Sequence, residues 1–145
     1  MSTPLPGEPR DHMNALLRVL LPFARDAIGE HGGFFPVGIS MAPDGEVEVV
    51  DLPTIEPATS ADAVLAEIRS GLRARAERRE VLAVGVASGV RLHTPEDEGF
   101  PLGIRVELEH RDADPITCVI PYRETEVGYE YGEAIAFVGE RRTWV

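Results

Sequence analysis

Leu102–Ile120 reads LGIRVELEHRDADPITCVI, and its alternation decides the fold class. Ile104, Val106 and Leu108 share one parity, while Arg105, Glu107, Glu109 and Arg111 share the other. Successive side chains of a strand point to opposite faces, so this is a strand with one apolar and one charged face. Asp112-Ala113-Asp114-Pro115 turns the chain, and Ile116, Cys118 and Ile120 give the apolar face of a returning strand. The pattern predicts an antiparallel hairpin. Its Arg and Glu residues face solvent, where each cross-strand charge pair contributes about 0.2–1 kcal/mol.

Upstream, Val81–Ser88 is a continuous apolar run, as a central strand requires. Before it, Ala61, Val64, Leu65, Ile68 and Leu72 form one helical stripe behind Ser60, a natural N-cap. Further back, Ala42-Pro43-Asp44-Gly45 is a turn between Phe34–Met41 and Glu46–Val49, which reads as a hairpin. Pro36 makes the first of these an edge strand or a strand start. Met13, Leu16, Leu17, Leu20, Ala24, Ala27 and Ile28 predict a first helix capped by Asp11. Pro22 should kink or restart it, and His31-Gly32-Gly33 should end it. Downstream lie an acidic loop and a last short strand, Ala134–Val138.

The expected fold is α+β: a mainly antiparallel sheet of five to six strands with two helices packed on it, in the order α-β-β-α-β-β-β-β. Residues 1–10, with three prolines, read as a flexible leader, and 11–145 as a single domain. A chain of 145 residues is the size of one domain, with enough core to fold unaided.

The formal net charge is -11, which excludes the basic footprint of a nucleic-acid binder and argues against anionic membranes. All 14 basic residues are Arg, a bias of GC-rich bacterial genomes, so no lysine chemistry exists. One cysteine permits no intrachain disulfide and suits the cytoplasm. No signal segment or membrane span is apparent.

No catalytic constellation emerges. Cys118 lies on an apolar parity, the serines lack a nucleophile elbow, and no two of His12, His31, His93 and His110 have zinc spacing. His93 beside Glu96, Asp97 and Glu98 reads as a solvated acidic loop. No cofactor and no metal are expected. Glu107 and Glu109 could act as an acid–base pair, but a solvent-facing Arg–Glu ladder explains them better. His110 reads as a satisfied, partly buried side chain.

Aromatic side chains gather near the C-terminus: Tyr129, Tyr131, Phe137 and Trp144. With Phe34 and Phe35 they could line a pocket or an interface. Phe34, Phe35, Glu107, Glu109, Tyr129, Tyr131 and Trp144 are therefore the candidate binding residues.

The segments HGGFFPVGISMAPDGEV, RVELEHRDADPITCVIPYR and YGEAIAFVGERRTWV together resemble a group of small bacterial proteins that carry no assigned function. The resemblance implies a single cytosolic α+β domain, and it transfers no catalytic residue. The expected function is that of a non-catalytic protein-interaction module, of immunity or antitoxin type in one form. Its expected partner is a second copy (a homodimer), a basic protein, or both. The competing expectation is a small-molecule-binding domain or small enzyme with an aromatic-lined pocket.

Overall fold

The computed structural model describes residues 8–34, 36–50, 60–92 and 99–144. The elements are α1 (Pro9–His31), β1 (Val37–Met41), β2 (Val47–Val49), α2 (Ala61–Glu77), β3 (Ala83–Arg91), β4 (Leu102–His110), β5 (Ala113–Thr125), β6 (Gly128–Tyr131) and β7 (Ile135–Val138). The fold is α+β. All strand pairs are antiparallel, in the order β2-β1-β3-β4-β5-β6, and β7 also pairs with β5. Among the described residues, no helix is long and apolar enough to cross a membrane.

The helices lie on opposite faces of the sheet. Met13, Leu16, Leu20, Ala24 and Ile28 of α1 pack on Ile39, Ala83, Ala87, Ile104, Val106, Leu108 and Ile120. Val64, Ile68 and Leu72 of α2 pack on Val81, Val84 and Val86. Strand alternation thus feeds two cores, which is why β3 is apolar on both sides. At Gly38 of β1 the sheet offers α2 bare backbone: an added Cβ would collide with Ile68.

Several local expectations need adjustment. α1 begins at Pro9, so Asp11 is not its N-cap; the Asp11 carboxylate instead accepts the Glu8 N–H at 3.0 Å. Proline suits a first helical position because that N–H would go unbonded in any case. The helix does not restart at Pro22, which sits on its exposed side, where water can reach the freed carbonyl. Gly32 closes α1 with φ 77°. Pro36 directly precedes β1, so of the two expectations the strand start holds, and the edge strand is β2. The Ser60 cap is present, its Oγ accepting from the Ala63 N–H at 3.1 Å. β5 begins at Ala113, directly after the turn at Arg111–Asp112, and runs 13 residues. The region expected to be an acidic loop contains β6, which pairs with β5 from Tyr122↔Tyr131 to Thr125↔Gly128, and Arg123 meets Glu130 across the strands at 2.7 Å.

Candidate functional site

Glu107 and Glu109 do not face solvent as a simple ladder. They point from β4 toward the α2 side, where the C-terminal tail crosses. Arg69 of α2 donates to Glu107 Oε1 at 2.5 Å, and Arg142 Nε donates to Glu107 Oε2 at 2.9 Å. Glu109 is 5% exposed and accepts the backbone N–H groups of Arg142 and Thr143 at 2.9 Å each. Arg73 of α2 donates to the Arg142 carbonyl at 2.7 Å. Trp144 then packs beside the α2 core. These carboxylates therefore have structural partners: one joins α2 to the tail, and the other pins the tail's backbone. Arg105 Nε is buried without a hydrogen bond among the described residues and lies 3.9 Å from Glu107 Oε1.

The aromatic candidates do not converge. Tyr129 and Tyr131 are half-buried on the α1 side, against Tyr122, with ring centroids 6.2 and 5.9 Å from it. Burial raises the pKa values of Tyr122 and Tyr131, with Arg25 over the Tyr131 ring opposing the shift there. Trp144 is on the other face. Phe34 packs at the rim of the α1 core and lines two clefts, of about 740 and 270 Å3. Neither Tyr129, Tyr131 nor Trp144 lines either cleft among the described residues. Phe34, Tyr129 and Tyr131 thus pack against the same α1-side core without sharing either of these clefts, and Trp144 packs beside the α2 core. Phe35, His93 and Glu96–Glu98 lie outside the described residues.

Cys118 is buried, and burial raises its thiol pKa. That environment disfavours the nucleophilic thiolate.

His110 is not partly buried but 1% exposed. Its Nδ1 accepts the Asp112 N–H at 3.0 Å, so its proton sits on Nε2. That Nε2–H donates to Nδ1 of His12, 3.1 Å away on α1. Nothing in sequence spacing reveals this pair, which spans 98 positions. A further proton on His110 Nδ1 would face the Asp112 N–H. Burial and His12 lower the His110 pKa, and Arg111 adds to this, while Asp112 opposes it. The unfolded chain therefore takes up a proton near the ordinary value of about 6.5, and the folded chain does so only at lower pH. The stability from neutral His110 is complete above about pH 6.5 and is lost as pH falls from there toward the lowered value. The melting temperature should fall across that window. A variant with Phe at both His12 and His110 should show a flatter profile; an equally steep one would refute the assignment.

Three exposed apolar side chains gather on β7. Ile135 is 56% exposed, Phe137 49% and Val138 77%. β7 pairs with β5 along one side through Val119↔Ile135 to Ile116↔Val138. Its other side carries no strand among the described residues. Exposed strand edges are normally guarded by charge or proline. The opposite edge, β2, carries Glu48 between Val47 and Val49, whereas β7 is Ile-Ala-Phe-Val without a charge. The sequence signal was this uninterrupted apolar run at the end of a chain already supplied with core.

No family model, no curated protein and no solved structure matches this chain.

Proposed function

We propose that the chain is a non-catalytic protein-interaction module that takes on a partner strand at the open edge of β7. The observation that carries this reading is the uncharged β7 edge with Ile135, Phe137 and Val138 exposed. Strand addition draws affinity from main-chain hydrogen bonds and selectivity from alternate side chains. Both are offered here, since the backbone row is open and Ile135 and Phe137 project on one face. The partners already assigned to Glu107 and Glu109 support a non-catalytic role. The Arg-only basic set and the single cysteine support a bacterial cytoplasmic setting.

The test is affinity capture from a bacterial lysate, followed by identification, purification and calorimetric titration of what binds. An Ile135→Lys/Phe137→Lys variant should weaken binding by about tenfold or more, as loss of central apolar contacts does. Its melting temperature should stay near that of the parent, because both residues are exposed. Equal affinity in parent and variant would exclude the β7 edge.

A further inference from the structure

We infer that the strand received at β7 is β7 of a second copy, antiparallel, with a twofold axis between the two Ala136 residues. This inference rests on β7 being the binding edge and adds the partner and the register.

A twofold axis normal to the sheet relates two antiparallel edge strands, and residues opposite each other then share a face. The axis must therefore run between the two copies of one residue, which lie opposite each other. Ile135 and Phe137 pair with Val119 and Thr117 of β5 and share their face; Ala136 and Val138 share the face of Cys118 and Ile116. An axis at Ala136 sets Ile135 opposite the partner's Phe137 and Phe137 opposite the partner's Ile135. Aromatic–β-branched pairs are among the stabilising cross-strand combinations. An axis at Phe137 would set Ile135 against glycine 139 and lose both pairs. An axis at Ile135 would set Phe137 against the carboxylate of Glu133.

The flanking charges favour the same arrangement. Glu133 precedes β7, and Arg141 and Arg142 follow it beyond Glu140. Antiparallel pairing joins the acidic end of one strand to the Arg-bearing end of the other. With the axis at Ala136, Glu133 lies opposite glycine 139 and diagonal to the partner's Arg141, a spacing of about 7–8 Å that long side chains span. The Arg141 guanidinium is bonded to the neutral carbonyls of Ala113 and His110 at 2.6 and 3.4 Å, and among the described residues no carboxylate pairs with it. Glu140 falls opposite glycine 132, so no two carboxylates face each other directly. An unrelated basic strand would meet Glu133 and Glu140 but would supply no carboxylate for Arg141.

A four-residue edge is short of the roughly 800 Å2 per partner of a standard interface, so the dimer is weak and concentration-dependent.

Cross-strand Cα atoms lie about 4.5–5.5 Å apart, within the range a disulfide spans. Cys118 is the cross-strand neighbour of Ala136 within one chain and would compete, so the test uses a Cys118→Ala background. There, Ala136→Cys should give a covalent dimer under mild oxidation that thiols reverse. Ala134→Cys, which would face the partner's Val138, should not. Crosslinking through Phe137→Cys in place of Ala136→Cys overturns the register. A parent that scatters light as a 15.8 kDa monomer at roughly 100 µM overturns self-pairing. If that monomer's captured partner is still lost on Ile135→Lys/Phe137→Lys substitution, only the identity of the partner fails. If the lysines leave capture and dimerisation unchanged, the β7 edge itself fails.

Discussion

Replacing Ile68 with Ala should lower the unfolding free energy by about 2–5 kcal/mol, the cost of truncating a buried aliphatic side chain. Ile68 is 1% exposed and sits at the centre of the smaller core, between Val64 and Leu72 of α2. Its methyl group rests against Gly38, where no side chain can swing in to fill the space. The cavity would stay open, which places the cost toward the upper part of that range. Leu65, on the same helix, is only half-buried, so Leu65→Ala should cost less. Denaturant melts of both variants check this; equal midpoints would mean that α2 is rotated from the orientation described.

Glu109→Ala should cost about 3 kcal/mol, since hydrogen bonds to a charged acceptor contribute about 1.5–3 kcal/mol and a buried donor left unpaired adds its desolvation. Two backbone N–H groups, of Arg142 and Thr143, depend on that one carboxylate, and Thr143 is buried. Without it the tail backbone at Arg142 and Thr143 loses its acceptor, only the Arg141 and Arg142 side chains of this segment still bond to the sheet among the described residues, and Trp144 should leave the α2 core. Trp144 is the one tryptophan, so its fluorescence reports the release directly. Glu109→Gln keeps one acceptor oxygen and should lose less. An unshifted emission maximum in Glu109→Ala would show that the tail is held by other means.

Alternation and turn chemistry made β1 to β5 and both helices legible from sequence. Ile104, Val106 and Leu108 point to the α1 side as their parity requires, and Ser60 caps α2. The fate of the charged parity of β4 was not legible. Glu107 and Glu109 read as solvent-facing because their neighbours in sequence are polar, whereas their burial comes from Arg69 on α2 and from the tail. Such contacts span more than 30 positions and leave no local periodicity. The same holds for His12 and His110. β6 was hidden because Tyr129-Glu130-Tyr131 alternates over too few residues to stand out among acidic neighbours.

β1 lies between β2 and β3 and is antiparallel to both, so β2 and β3 run parallel to each other. The passage β2–α2–β3 is then a split crossover, a connection that is right-handed in about 98% of proteins. Handedness decides which side of the sheet the crossing helix occupies, and β3 is written to agree with one choice. Its α2 side offers Val84 and Val86, while the α1 side offers Ala83, Gly85 and Ala87. A Cβ at Gly85 would come within 2.8 Å of Leu20 on α1, so that side admits only a helix seated close to the backbone. In the mirror topology α2 would lose its valine bed, and α1 would ride on side chains instead of backbone. The composition of one strand thus discriminates between the two chiralities of the whole fold.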